Sequence, residues 1–465
     1  MFLHLGRSWI PAALLVILVI GLLIGAGTAA KLDAQVQSNG CNARLASPSV
    51  TIALPGNPFG VKASGDGCWV FVSVGGANGG IAVLKRGNGR MDVARVVPVT
   101  PAPAGIVLTH DGKLLIASAT SSAVVLDVGR MTTGAENPVV GTFSGFDRSF
   151  LGSVYVNVTS DDKLLFVSQE AAQAITVIDL ARARQNGYKP EAIIGNIPVG
   201  GAPIALTFSA DGRWLYTTSE GAAPQWNWPK ACKPEGPPQT PEQIAARKAA
   251  AERQITALQA QQAGASDKGA AQLQERIDAL KAFANSTSSQ LVNPEGAVVV
   301  VDVARAKTDP ANSVVGRIPA GCSAVRMAIS PDGRRIYVTA RNSNAVGVFD
   351  TSKLLSDADH ARLGTAAVGE APVPVAVIDG GKKVVVGNSN RFAGGNASQT
   401  LSVLDAAKME QKGADATIGT IPSGAFPREF DVSADGRTLF LTNAGSSSLQ
   451  VIDIDRLPVE PRVVK

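Results

Sequence analysis

The chain has 465 residues, a formal net charge of +5 and only 3 histidines, His4, His110 and His360. At 45% hydrophobic it is too apolar to be disordered, and so few histidines exclude a multi-histidine metal centre and leave a histidine-based triad poorly supplied. A small net charge without a long basic run excludes a nucleic-acid binder, while 48 glycines and 27 prolines demand frequent turns and so favour short strands over long helices.

Residues 8–30 carry no charge, and Ile10–Ile24 is apolar apart from Pro11 and Gly21. This run sits at the ~20 residues needed to span a bilayer. Residues 1–30 therefore read either as a secretory signal, with Thr28 and Ala30 near a cleavage point, or as a retained anchor. Arg7 keeps the amino end in the cytoplasm in both cases. The rest of the chain is expected to be extracytoplasmic: periplasmic, secreted or anchored at the cell surface. Membrane contact is expected only through this segment, and residues 31–47 form a linker.

From residue 48 onward one phrase recurs: a small or Pro-containing loop, an apolar strand, Asp-Gly or a variant, and a second apolar strand. The turns fall at Asp66-Gly67, Asp111-Gly112, Asp161-Asp162, Asp211-Gly212, Asp332-Gly333, Asp379-Gly380 and Asp435-Gly436. Asp-Gly between alternating apolar runs signals a hairpin, because a tight turn needs positive φ angles. A third strand follows each hairpin, as in Val298-Val-Val-Val-Asp302 and Val346-Gly-Val-Phe-Asp350, and then a more variable fourth, such as Ala192–Ile197. The turns recur about every 50 residues, with one interval longer by roughly 72. Seven four-stranded units predict an all-β fold, a seven-bladed β-propeller over residues 48–465. The alternative is a sandwich or a pair of barrels. Ser49–Leu54 has no partner nearby and is expected to close the ring as the outer strand of the last blade, removing two exposed edges.

The run Ser330-Pro-Asp-Gly-Arg-Arg-Ile-Tyr-Val-Thr339, followed by Asn344-Ala-Val-Gly-Val-Phe-Asp350, resembles the YVTN repeat of bacterial surface and exported propellers. Ile197-Pro-Val-Gly-Gly-Ala-Pro203 and Ile421-Pro-Ser-Gly424 are similar to that family's inter-blade phrase, so the resemblance covers Pro48–Leu457 apart from an insertion. It also implies the wider lactonase-like superfamily, which includes sugar-lactone hydrolases, redox-enzyme subunits and binding proteins. It is specific for fold, and fold does not carry function.

The insertion spans residues 220–296, between the second and third strands of the fourth blade. Trp226 and Trp228 lie in its first part. Thr240-Pro-Glu-Gln243 has the form of a capping box with Pro at the first helical position. Ile244, Ala251, Ile255, Leu258 and Gln262 follow helical spacing, and Leu273, Ile277, Leu280 and Ala284 do so after a turn. A helical hairpin is expected, either as a solvated decoration or as a lid or docking arm.

Propeller connectivity places the Asp-Gly hairpins at one end of the ring and the insertion at the other, where propellers usually build sites. Cys232 and Cys322 fall at the insertion end, and Cys41 and Cys68 at the hairpin end. Export makes disulfides plausible, and of the three connectivities available the topology selects Cys41–Cys68 and Cys232–Cys322.

The position six residues before each hairpin aspartate reads Gly60, Gly105, Tyr155, Ala205, Arg326, Val373 and Glu429. Small residues suit a crowded central channel; Tyr155, Arg326 and Glu429 break the pattern. Arg428 adjoins Glu429, Arg148 precedes the third blade, and Arg341 and Arg391 lie in second-to-third-strand loops. Together with Trp226 and Trp228 these are the candidate ligand-binding residues, with the arginines forming an electropositive mouth suited to carboxylates or phosphates. The alternative is a set of structural ion pairs, with Glu170, Glu220 and Glu370 on the same face.

Two functions fit. One is an exported binding or scaffold protein that engages an unknown protein or a small anionic ligand through its loop face and insertion. The other is a lactonase-like hydrolase, with Arg326 and Arg428 orienting an anionic sugar lactone and Glu429 as general base. No cofactor and no metal is expected. The shortage of histidines and the lack of a catalytic motif favour binding.

Overall fold

The structure is a computed structural model that describes residues 40–461, apart from 77–78, 145–151, 171, 224–225, 229–231, 235–237, 265–269, 271–272, 275–276, 279, 282–283, 286–293, 391–398 and 412–414. Its strands form seven antiparallel sheets, the blades of a propeller, each running outward from an innermost strand. Those innermost strands are Asn57–Ala63, Ile106–Leu108, Ser153–Val158, Gly201–Phe208, Ala324–Ile329, Pro372–Ile378 and Pro427–Val432. Ser49–Ala53 pairs antiparallel with Ser448–Asp453 and completes the seventh blade, so the two ends of the fold share one sheet. The sixth blade carries a fifth strand that the repeat pattern does not contain. Glu460–Pro461 adds to the edge strand Thr417–Pro422, lying against Gly419, where any Cβ would run into the Glu460 carbonyl.

The hairpins owe their regularity to one side-chain device. Ser330 donates its hydroxyl to Asp332 (2.5 Å) and accepts from the Arg335 N–H (2.9 Å), while Asp332 accepts from the Arg334 N–H (3.0 Å). The same hydroxyl-to-aspartate bond joins Ser64 to Asp66, Thr109 to Asp111, Thr159 to Asp161, Ser209 to Asp211 and Ser433 to Asp435. These side chains stand in for backbone partners that a tight turn cannot supply. At the other end of the second hairpin, Asp127, Asp179, Asp302, Asp350, Asp405 and Asp453 each accept a backbone N–H two or three residues ahead, capping a short helical turn.

The sixth blade departs from this scheme. Val377 pairs with Val384 where the fifth blade pairs Ile329 with Ile336, so Asp379 sits one position earlier in its turn than Asp332 does. Counting back from Asp379 therefore selects the wrong residue. Pro374, not Val373, is the counterpart of Arg326.

A second repeated bond ties the blades together around the channel. Six of the innermost strands bulge near their start, which frees the N–H of the channel residue from the ladder. A hydroxyl on the second strand takes it up: Thr339 accepts from the Arg326 N–H (3.1 Å) and donates to the Val373 carbonyl of the next blade (2.9 Å). Thr218 likewise links the Ala205 N–H (3.0 Å) to the Val325 carbonyl (2.8 Å). Ser73 joins Gly60 to Ala104, and Thr442 reaches Phe59 across the closing seam (2.8 Å). Where Pro374 brings no N–H, the hydroxyl is absent too: Gly387 stands in its place, and a Cβ there would meet Pro374 Cγ at 2.6 Å.

Thr339→Val keeps shape but leaves a buried N–H and a buried carbonyl without their partner. It is expected to lower unfolding stability by about 2 kcal/mol or more, whereas Thr51→Val on the exposed closing strand stays within about 0.5 kcal/mol. Denaturant melts of both variants measure this, and equal effects would disprove the bridge.

The hairpin aspartates predict acid behaviour. Burial works against the charge at Asp111 and Asp435 but is outweighed by hydroxyl and backbone bonds, while Asp161, Asp211 and Asp332 are shifted first by the hydroxyl. All five titrate below the usual aspartate value of about 3.9. A carboxyl lowered in the folded state stabilises it above the unfolded pKa and loses that effect as pH falls through the folded one. The melting temperature is therefore expected to hold above about pH 5 and to drop below about pH 4. Ser330→Ala flattens that drop, as thermal melts across the acid range will reveal.

Candidate functional site

Tyr155, Arg326 and Glu429 come from the third, fifth and seventh blades and meet in the central channel. The Tyr155 hydroxyl donates to Glu429 Oε1 (2.8 Å), and Arg326 Nη2 lies 2.9 Å from Glu429 Oε2. The guanidinium also stacks on the Tyr155 ring, 4.5 Å from its centroid, with Phe59 beyond at 5.7 Å. Arg326 and Glu429 are only 4% and 8% exposed. Burial and the neighbouring Glu429 carboxylate push the Tyr155 phenol well above its ordinary value, so it remains a donor at neutral pH.

A second charged pair lies beside the first. Lys62 Nζ sits 2.8 Å from Asp431 Oδ1, and Asp431 Oδ2 accepts from the Ala63 N–H at 2.8 Å. Burial alone would lower the Lys62 ammonium, but Asp431, Tyr155 and Glu429 together raise it, so it is charged. Sequence reasoning missed this pair, although the signal was present. Lys62 and Asp431 each lie four residues before their hairpin aspartates, and ring closure makes their blades neighbours.

These groups line a cavity of about 440 Å³. Its walls include Val156, Leu206, Met327 and Phe430, and it runs toward the Asp-Gly end, where the exposed residues His110, Ser160 and Ala210 form the rim. At the insertion end the channel is filled by Val154, Ile204, Val325 and Val373 packed with Phe59. The channel cavity therefore opens at the end opposite the insertion. Close stacking of the blades leaves the innermost strands tightest at their starts, where branched side chains plug the channel, and widest at their ends.

The expected electropositive mouth does not form from the described arginines. Arg341 makes a bidentate pair with Glu220 (2.9 and 3.1 Å), Arg326 is matched by Glu429, and Arg428 lies over the rings of Phe59 (4.3 Å) and Phe426 (5.4 Å). Arg148 and Arg391 lie outside the described residues. Trp226 and Trp228 contact each other at 5.4 Å and pack on the apolar layer between the third and fourth blades, with the Arg317 guanidinium 5.0 Å over Trp226. They wedge the base of the insertion rather than line the channel.

The insertion is tied down at several points. Disulfides join Cys41 to Cys68 and Cys232 to Cys322, the latter linking the insertion to the start of the fifth blade. Asn342 Nδ2 donates to the Lys233 carbonyl (2.5 Å), and Glu295 Oε1 accepts from the Gly321 N–H (3.0 Å). Beyond this base, helix α1 (Pro241–Gln262) opens with reciprocal bonds: Thr240 N–H to Gln243 Oε1 (2.9 Å) and Gln243 N–H to Thr240 Oγ1 (3.3 Å). Ala251, Leu258, Ile277 and Ala284 are buried along the seam with the returning helical residues. Among the described residues no group of three or more His, Cys, Asp and Glu side chains is placed to share a metal ion.

With the fold and site in view, the chain is a β-propeller by architecture. No protein-family model matches it, and neither does any curated protein. Among solved structures it is similar to the hydrazine synthase of Kuenenia stuttgartiensis, with a TM-score of 0.54 at 17% identity over 88% of this chain and 98% of that one. A chain of a mitotic checkpoint complex matches with a TM-score of 0.55 at 13% identity, over 88% and 94% respectively. At these identities the likeness is one of fold alone.

Removing one member of a buried ion pair strands the other. Arg326→Met is expected to cost about 3–5 kcal/mol, while adding Glu429→Gln recovers a large part of that loss. A double-mutant cycle by denaturant unfolding checks this, and additive effects would show the two side chains to be uncoupled.

Proposed function

We propose that this chain is an exported β-propeller of the YVTN-repeat type that serves as a binding scaffold and engages a partner protein through its insertion-bearing end. In this reading residues 1–30 direct export or anchor the chain, 31–47 are a linker, 48–465 form the propeller, and 220–296 are the docking arm. The observation that carries it is the fixing of the insertion. One disulfide, a bidentate Arg341–Glu220 pair and the contacts of Glu295 hold its base to the fourth and fifth blades. A decoration without a task has no need of a covalent tie. A docking arm gains from one, because a pre-ordered surface loses less entropy on binding.

Two disulfides support an oxidising compartment. Among the described residues no helix is long and apolar enough to cross a membrane, and residues 1–30 lie outside that set. The hydrolase reading has less support. It needs Glu429 as a general base, and that carboxylate is already engaged by Tyr155 and Arg326.

A photo-crosslinking residue at exposed Lys248 on helix α1 is expected to capture the partner in cells, and one at exposed Arg334 on a hairpin is not. Replacing residues 240–284 by a short Gly-Ser link, which keeps Cys232, Trp226 and Trp228, should abolish capture from a second photo-crosslinking residue at exposed Lys233, at the base of the arm, and leave the melting temperature within a few degrees. Capture from Arg334 alone, or capture that survives the deletion, would refute the reading.

A further inference from the structure

The cavity at the Asp-Gly end lies away from the docking arm and has a chemistry of its own. Its buried charges cancel: Arg326 with Glu429, and Lys62 with Asp431. Its hydrogen bonding does not. Arg326 Nε and Nη1 are buried without a hydrogen-bond partner, and Glu429 Oε2, although charge-paired with Arg326, accepts no hydrogen bond. Buried polar groups of native proteins are nearly always satisfied, so three unmet positions on two facing side chains call for a bound species. The ~440 Å³ space is of small-molecule size.

The charge balance decides the class of occupant. An anion at Arg326 must displace Glu429 or bring an uncompensated charge into the channel, and a cation at Glu429 meets the same obstacle with Arg326. A neutral molecule meets neither. It must offer oxygens that accept from two guanidinium N–H groups and a donor for the Glu429 carboxylate. Adjacent hydroxyls supply both from neighbouring atoms. Val156, Leu206, Met327 and Phe430 provide the apolar wall for the carbon skeleton.

We propose that the Asp-Gly end of the central channel is a binding site for an uncharged polyhydroxylated small molecule, held by Arg326, whose Nε and Nη1 lack a hydrogen-bond partner, and by the Glu429 carboxylate. The site is independent of partner docking at the opposite end.

Three probes of one ring size separate the possibilities: glucose, glucuronate and glucosamine, titrated calorimetrically into the full chain. Glucose is expected to bind saturably, and the two charged probes at least tenfold more weakly. Glu429→Gln leaves Arg326 unmatched and is expected to turn the preference toward glucuronate by tenfold or more. Arg326→Gln leaves Glu429 unmatched and turns it toward glucosamine. The chain with residues 240–284 replaced should bind glucose unchanged, which keeps this test separate from the docking one. A charged probe that binds best to the unsubstituted chain overturns the proposal. So does failure of all three at millimolar concentration, which would mean that ordered water alone satisfies Arg326 and Glu429. Should either variant fail to fold, the ranking on the unsubstituted chain decides by itself.

Discussion

The fold depends on a hydroxyl that serves two blades at once. Radial sheets can approach a common axis only if their innermost strands crowd together, and the bulge that accompanies this in six of the seven blades takes the channel residue out of the ladder. The neighbouring blade presents an unpaired carbonyl at the same level. One Ser or Thr on the second strand satisfies both, as Thr339 does between Arg326 and Val373. The pairing of Pro374 with Gly387 supports this account from the opposite side. When the N–H is removed by proline, the hydroxyl goes too, and removing both partners of a bond is far less costly than removing one. The threonine of Tyr-Val-Thr is therefore a joint between blades rather than a feature of its own strand.

This joint explains what the sequence revealed and what it hid. The repeat, the hairpins and the closing strand are local or nearly so: each depends on turn chemistry and strand alternation that recur in every blade, and Ser49–Ala53 stood out because it had no neighbour of its own. The same counting drew Tyr155, Arg326 and Glu429 from a background of small residues, and they do meet. It failed in the sixth blade because Asp379 occupies a different place in its turn, a shift of one residue that only strand pairing exposes. The added strand Glu460–Pro461 was invisible because two residues carry no alternation.

Charge was the least legible property, and the reason is geometric. Arginines counted along the chain seemed to gather on one face, yet Arg341 finds Glu220 at a separation of 121 residues, and Arg326 finds Glu429 across the channel. In a ring, neighbours in space are rarely neighbours in sequence, so a residue count measures the supply of charge without its cancellation. Lys62 and Asp431 are the limiting case, since their blades become adjacent only when the ring closes. A propeller's electrostatics must be read by position within the repeat and around the ring.

The two ends of the molecule then divide according to what each has left unmatched. At the insertion end, the channel is plugged and a disulfide fixes the arm, so what it offers is surface. At the hairpin end, Arg326 and Glu429 are charge-paired but keep unmet hydrogen-bonding atoms beside a cavity that both residues line. A guanidinium that keeps two donors free inside a net-neutral pocket is poorly explained by stability alone, because a glutamate with Tyr155 and Arg326 already in place had the means to engage them. Instead Glu429 spends one oxygen on Tyr155 and holds the other facing Arg326 without a hydrogen bond. That arrangement fixes both side chains and leaves Arg326 Nε and Nη1 without a hydrogen-bond partner, and the proposed site rests on that difference from a fully bonded structural ion pair.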